Sequence, residues 1–330
     1  MSEKPTIVAV GAGRMGRGMA HVFAYAGYPV TLVDFKARPA DDFARMAGDV
    51  RAEISGNLAF LSSLGVMTAK QAENALALIE VVGLDDAEAP IAAADYLLEG
   101  VPETREAKED ALGRVSALAR PDAVIASTTS TMLVTELQEF VTGPERFLNA
   151  HFLNPAYLIP LVEVSASPTT DPAVVDRLMA LFEAVGKVPV RCGASPGYIL
   201  PRLQSLLMAE STRMIEEGVA TAEDIDKAIM NGFGPRYTTM GAIEFIDWGG
   251  VDIFYYAGNY LAKALDSPRH APPAEIEQMM KDGRRGMRER QGYYDYRNMD
   301  VEAYQQEKLK TFVTLLDGLG KIPKPGVPDS

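Results

Sequence analysis

The chain has 330 residues, 47% hydrophobic and 23% charged, a balance ordinary for a folded globular protein and too apolar for a disordered one. Thirty-two lysines and arginines against forty-five aspartates and glutamates leave a formal charge of −13, which sets the surface against phosphate backbones and anionic lipid. The single cysteine, Cys192, can build neither an internal disulfide nor a thiolate metal site. No apolar run reaches the ~20 residues of a membrane span, and the opening residues lack the pattern of a secretory leader. The expectation is a reduced, cytoplasmic chain of about two domains with no metal, nucleic-acid or membrane partner.

Thr6-Ile7-Val8-Ala9-Val10 is a short β-branched run bounded by glycine and reads as a buried parallel strand. Residues 11–27 carry helical spacing through Met15, Met19, Val22 and Phe23. A second strand over 29–33 ends at Asp34, and helix fills roughly 38–80. Further strand-like runs lie at 96–98, 123–126, 147–152, 161–164 and 188–190. Strands alternating with helices predict an α/β fold with a doubly wound sheet. After Gly193-Ala194-Ser195-Pro196-Gly197 strand patterns give way to long helical segments. The predicted domains are therefore 1–194, carrying the sheet, and an all-α domain over 195–330. Leu309, Phe312, Val313, Leu316 and Leu319 give a terminal helix one apolar face, and residues 322–330 read as a frayed tail.

Gly11-Ala12-Gly13-Arg14-Met15-Gly16 is a G-x-G-x-x-G element. Glycine triplets are weak as bare strings, but here a strand precedes, a helix follows, and Asp34 ends the next strand. Gly11 permits the tight turn, Gly13 lets the backbone approach a pyrophosphate, and Gly16 allows close helix–strand packing. That is the nucleotide-binding start of a Rossmann-type domain. Asp34 suits the two ribose hydroxyls and opposes a 2′-phosphate, so NAD is expected rather than NADP. Lys36 and Arg38 nearby are the features that could favour the phosphorylated cofactor.

Of the three histidines, His21 sits inside the first helix and His270 in a loop without an obvious partner. His151 closes an apolar strand, where α/β sheets open their ligand crevice, and Glu163 follows twelve residues later. A histidine there can take the proton of an alcohol, with the carboxylate fixing its tautomer. By spacing alone, a satisfied structural histidine is the competing reading.

The glycine motif, Ala126-Ser127-Thr128-Thr129-Ser130-Thr131, the run from His151-Phe152-Leu153-Asn154-Pro155 to Leu161-Val162-Glu163, Ser195-Pro196-Gly197-Tyr198-Ile199, Gly241-Ala242-Ile243-Glu244, Gly286 and Gly292-Tyr293-Tyr294-Asp295-Tyr296 together resemble the 3-hydroxyacyl-CoA dehydrogenase family. The resemblance spans residues 5–296. It implies a Rossmann domain followed by a helical domain that forms a homodimer, and NAD-dependent oxidation of a secondary alcohol β to a carbonyl, usually of L configuration. It makes His151 the base, Glu163 its partner and Ser130 the hydroxyl that bonds the substrate oxygen. It also sets Glu103 and Lys108 at the cofactor, where the plain alternative is a pair of surface charges at a helix start. The family's Pro-Gly-Phe-x-x-Asn-Arg stands here as Pro196-Gly197-Tyr198-Ile199-Leu200-Pro201-Arg202. Pro201 offers no amide to a substrate, leaving Asn154 and Ser130 to supply that contact.

Members that use CoA commonly carry lysines in the first domain's helical hairpin, whereas residues 61–68 here have none, the first being Lys70. Gly234-Pro235-Arg236-Tyr237 resembles relatives that oxidise small free hydroxy acids, and Arg236 could clamp a carboxylate or be a surface arginine. The segment from Gly286 to Tyr296 leans the other way, towards the acyl-CoA enzymes. A small L-3-hydroxy acid is expected as substrate, with an L-3-hydroxyacyl-CoA as the alternative. A cofactor-binding homologue without turnover, like certain lens proteins of this family, is the non-enzymatic alternative.

Overall fold

The computed structural model of the protein describes residues 4–322 and 325–326. The tail read over 322–330 lies outside these except for Ile322, Pro325 and Gly326. The chain forms two compact units, Met1–Leu207 and Met208–Ser330. The division falls inside the helix Leu200–Glu216, so the change in composition after residue 194 precedes the change in packing.

Short aliphatic runs give the first unit its strands: β1 (Ile7–Val10), β2 (Val30–Val33), β3 (Ile79–Val82), β4 (Tyr96–Glu99), β5 (Val124–Ser127), β6 (Phe147–Phe152), β7 (Leu161–Ala166) and β8 (Val188–Cys192). They form one sheet in the order β3-β2-β1-β4-β5-β6-β7-β8. The strands from β3 to β6 in that order are parallel, β7 is antiparallel to β6, and β8 is parallel to β7. β1 has β2 on one side and β4 on the other, so the chain reverses its progress across the sheet at β1. Ligands of open α/β sheets bind in the crevice beyond the carboxyl ends of strands at such a reversal.

Alternation along the strands divides the core between the two faces of the sheet. Ile7 and Ala9 pack with Met19, Phe23, Leu58 and Phe182, and Val8 and Val10 with Ile91, Leu112, Val115 and Phe147. Because both faces are covered, these strands read as continuous apolar runs. Each fully buried side chain of this size contributes ~1.5–3 kcal/mol, which gives the crevice a rigid floor.

One expectation is corrected. The helical stretch over 38–80 breaks into helices Ala40–Ser63 and Ala69–Leu76, followed by β3. Gly65, with φ +73°, turns the chain. Thr68 and Gln71 then close a capping box that starts the second helix. β3 is a four-residue edge strand with only Ile79 fully buried, too short and too polar on one face to stand out from the helix before it.

Among its described residues the second unit is helical, with no strand beyond isolated bridges. Its organising feature is the buried carboxylate of Asp247, which accepts hydrogen bonds from the Tyr293 and Tyr294 amides, each at 2.9 Å, and from the Tyr296 hydroxyl at 3.1 Å. A Cβ on Gly286 would stand 2.3 Å from the Asp247 carbonyl oxygen, and Gly286 has φ +101°. The glycine-and-tyrosine segment thus packs on Asp247. Gly286→Ala is expected to lower stability by about 2–4 kcal/mol, the range for a backbone clash at a special φ. A thermal melt followed by circular dichroism checks this, and an unchanged melting temperature would contradict the packing described.

Candidate active site

The glycine loop is built by packing. Gly11, with φ +102°, turns the chain off β1, and a Cβ on Gly16 would lie 1.8 Å from the Gly11 carbonyl oxygen. Gly16 therefore seats the helix Arg14–Tyr25 against the strand. A Cβ on Gly13 would meet no atom within 4 Å, which leaves its backbone open to a ligand at the helix amino terminus. A cleft of about 570 Å³ opens here, lined by Gly11, Gly13, Arg14, Met15, Asp34, Glu103, Lys108, Ser130, His151 and Asn154 among others. The sheet thus brings these sequence-predicted residues together on one crevice.

At one end Asp34 is buried, and its carboxylate accepts a hydrogen bond from the Arg38 guanidinium. Arg38 is thereby held by Asp34 instead of standing free for a 2′-phosphate. The open Gly13 backbone and this buried carboxylate at the end of β2 fit the pyrophosphate and ribose of NAD.

Midway along the cleft, Lys108 is buried between two carboxylates. Its Nζ lies 3.0 Å from both oxygens of Glu99 and 3.4 Å from Glu103. Glu99 also accepts from the Ser127 hydroxyl at 2.6 Å and the Val101 amide at 2.6 Å. Glu103 takes the Ser130 and Thr131 amides at 2.9 and 3.0 Å and the hydroxyls of Thr129 and Thr131 at 2.5 and 2.9 Å. Burial pushes the Glu103 carboxyl up, but the Thr129 hydroxyl, the Lys108 charge and the Thr131 contacts outweigh it and hold it below the usual range. Lys108 is thus no surface charge, while Glu103, itself exposed, holds the amides of the turn that carries Ser130.

At the far end, the antiparallel pairing of β6 and β7 sets His151 directly opposite Glu163. His151 Nδ1 is 2.8 Å from Glu163 Oε2. Glu163 is wholly buried, and its other oxygen accepts the Ile199 and Leu200 amides at 2.9 and 2.7 Å. A carboxylate bonded to Nδ1 holds the proton there and leaves Nε2 as the acceptor. Such an imidazole can take a proton from an alcohol placed in the cleft.

Sequence reasoning missed three contributors. Glu99 ends β4 and reads as one more polar strand terminus until Lys108 is seen folded onto it. Tyr198 stacks on the His151 ring with centroids 5.2 Å apart and an 11° interplanar angle. Its φ of +46° is rare for an aromatic residue, a strain of about 1–3 kcal/mol. Asn149, two residues before His151 on the same face of β6, donates to the Tyr198 hydroxyl at 3.1 Å. None of these contacts follows from local sequence.

His21 lies buried against the Tyr157 ring at 4.4 Å, its imidazole pushed down to about 4 by burial, with Lys187 adding to the effect. Arg236 belongs to the second unit, where its guanidinium stacks 4.3 Å from the Phe245 ring centroid. Among the described residues no carboxylate pairs with it. Pro201 is the second residue of the helix Leu200–Glu216, where its missing N–H is tolerated.

Residues 6–195 match the family described as 3-hydroxyacyl-CoA dehydrogenase, NAD binding domain, and residues 197–296 match 3-hydroxyacyl-CoA dehydrogenase, C-terminal domain. The chain belongs to the 3-hydroxyacyl-CoA dehydrogenase family. It is 31% identical to a 3-hydroxyadipyl-CoA dehydrogenase of Escherichia coli over 90% of its length, and spans only 60% of that longer protein. It is 29% identical to a 5-formyl-3-hydroxy-2-methylpyridine 4-carboxylate 5-dehydrogenase of Mesorhizobium japonicum, covering 94% of this chain and 96% of that one. A 3-hydroxyacyl-CoA dehydrogenase of Archaeoglobus fulgidus superposes with a TM-score of 0.78 at 28% identity, covering 97% of this chain and all of that one. This 3-hydroxyacyl-CoA dehydrogenase family member is an NAD-dependent oxidoreductase acting on CH–OH groups. Among its described residues no helix is long and apolar enough to cross a membrane, and no cluster of histidine, cysteine and carboxylates is placed to hold a metal ion.

Asp34→Ala removes the carboxylate expected to meet the ribose and frees Arg38 together. NAD binding is expected to weaken about tenfold, the scale of one hydrogen bond to a charged group, while NADP binding improves. Competition titration with both cofactors checks this, and an unchanged preference would contradict the role given to Asp34.

Proposed function

We propose that the protein oxidises the 3-hydroxy group of a small L-3-hydroxy carboxylic acid. His151 is the base, Glu163 its positioning partner and Ser130 the hydrogen-bonding partner of the substrate oxygen. The observation that carries this reading is the His151–Glu163 bond at the edge of the cofactor cleft, 2.8 Å long and wholly buried on the carboxylate side. NAD would be held along Gly11, Gly13, Arg14, Met15, Gly16, Asp34, Glu103 and Lys108 and would supply the hydride acceptor. His151 Nε2 takes the hydroxyl proton, and the imidazolium so formed is stabilised by Glu163. Ser130 and Asn154 hold the substrate oxygen and its neighbouring carbonyl, the latter in place of the amide that Pro201 lacks.

Three features favour a free acid. Arg236 has no carboxylate partner among the described residues, and residues 61–68 carry no lysine for CoA phosphates. The Mesorhizobium relative is named for a substrate bearing a carboxylate. The Gly286–Tyr296 segment, which packs on Asp247, still counts on the side of the acyl-CoA enzymes. The names of the Escherichia and Archaeoglobus relatives favour the alternative, an L-3-hydroxyacyl-CoA. A cofactor-binding homologue without turnover has no physical need for the His151–Glu163 pair.

The protein is further proposed to act as a cytoplasmic homodimer. Met208, Ile253, Tyr256, Tyr260 and Val313 of the second unit are all exposed, an apolar excess of the kind found at interfaces. Cys192 has its thiol pushed up to about 11 by burial and the nearby Glu163 charge, which disfavours the reactive thiolate.

His151→Ala is expected to lower kcat by about 10²–10⁴-fold, the reach of general base catalysis, with NAD affinity unchanged because the glycine loop is untouched. Near-normal turnover in this variant would remove His151 as the base. For the substrate class, Arg236→Met keeps the bulk and removes the charge. On a free 3-hydroxy acid kcat/KM should fall roughly 30- to 700-fold, about 2–4 kcal/mol. On 3-hydroxybutyryl-CoA the loss should stay below about tenfold, because the thioester carries no charge beside the reacting carbon. A small loss on the acid, with the thioester the better substrate of the unaltered protein, would overturn the free-acid reading.

A further inference from the structure

We propose that Tyr198 is a positioning residue that sets the His151 ring against the Ser130 turn, with its hydroxyl as the tie between them. This rests on His151 as the base.

The imidazole of His151 is fixed at one edge by Glu163, 2.8 Å from Nδ1. A single hydrogen bond leaves the ring free to roll about it. The Tyr198 ring removes that freedom by lying against the imidazole face, nearly parallel. The same tyrosine then reaches across the site. Its hydroxyl donates to the Thr129 carbonyl at 2.9 Å and accepts from Asn149 Nδ2 at 3.1 Å. The Asn149 amide group is itself braced by the Met132 carbonyl at 3.0 Å. Thr129 and Met132 bracket Ser130 and Thr131, and the amides of those two residues are held from the other side by Glu103. The Ser130 turn is therefore fixed on its amide side by Glu103 and on its carbonyl side by Tyr198 and Asn149.

The backbone supports the same reading. Tyr198 has φ +46° directly after Gly197 with φ +75°. The next two amides, of Ile199 and Leu200, go to Glu163. One strained turn thus holds the carboxylate partner, the face of the base and the substrate-hydroxyl turn. A phenylalanine would keep the stack and lose the tie, since both bonds to Thr129 and Asn149 run through the hydroxyl. Strained conformations persist where surrounding contacts over-determine them, and cluster at functional sites.

Tyr198→Phe isolates the hydroxyl, and Tyr198→Leu removes the ring as well. The reading is the single-turnover rate constant for NADH formation at 340 nm, per bound NAD. It is taken on 3-hydroxybutyrate and on 3-hydroxybutyryl-CoA, using whichever the unaltered protein turns over. The rate constant should fall about tenfold in Tyr198→Phe and about a hundredfold in Tyr198→Leu, with amplitude unchanged and NADH affinity by fluorescence within about twofold. A merely structural role would lower the amplitude or the melting temperature and leave the rate constant alone. That result, or a Tyr198→Phe rate constant within about twofold of the unaltered protein, would overturn the proposal. Tyr198→Phe retains the ring and decides the matter even where Tyr198→Leu fails to fold. The two readings fail separately: an active His151→Ala variant removes the base, whereas an inactive one beside a fully active Tyr198→Phe removes only the tie.

Discussion

The wholly buried carboxylate of Glu163 is the constraint on which the site depends. An unpaired charge in such a place costs several kcal/mol, so its oxygens must be met, and the groups that meet them are the ones that matter. One oxygen takes the His151 ring, and the other takes two consecutive amides at the start of the helix Leu200–Glu216. The antiparallel reversal of β7 against β6 makes this possible, because it places His151 and Glu163 in direct register. A slip of one residue would send Glu163 to the other face of the sheet. The strand reversal in an otherwise parallel sheet is therefore what brings His151 and Glu163 together.

The rest of the cleft repeats the same economy of charge. Lys108 is buried because Glu99 and Glu103 flank it, and Glu103 is free to organise the Ser130 turn because Lys108 and four hydroxyl or amide donors hold it ionised. Asp34 and Arg38 form a third pair beyond the end of β2. A chain with a net charge of −13 thus neutralises its inward carboxylates with particular cations instead of a general basic lining. The shape of the cleft is set by pairs that lose most of their value if one partner is removed.

Much of this was legible in the sequence. The glycine loop, Asp34, seven of the eight strands and the placing of His151 at a strand end follow from periodicity, spacing and the rule for ligand crevices. Glu103, Lys108 and Ser130 come from family resemblance, and the structure brings them together on one cleft. What was hidden depends on contacts between distant segments. β3 merged with the helix before it because four residues at a sheet edge carry little pattern. Glu99 and Tyr198 looked ordinary because their partners lie 9 to 69 residues away. The hold of the Gly286–Tyr296 segment on Asp247 is likewise a contact between distant parts of the chain.

The central claim is that Glu163 holds His151 with its proton on Nδ1 and its lone pair on Nε2, ready to accept the substrate proton. With three histidines in the chain, selective nitrogen-15 labelling of histidine and two-bond nitrogen–proton correlation spectra resolve the tautomer of each ring. In its neutral form His151 should show a protonated Nδ1 and an unprotonated Nε2, and Glu163→Gln should abolish that preference. A His151 found with its proton on Nε2 in the unaltered protein would contradict the account.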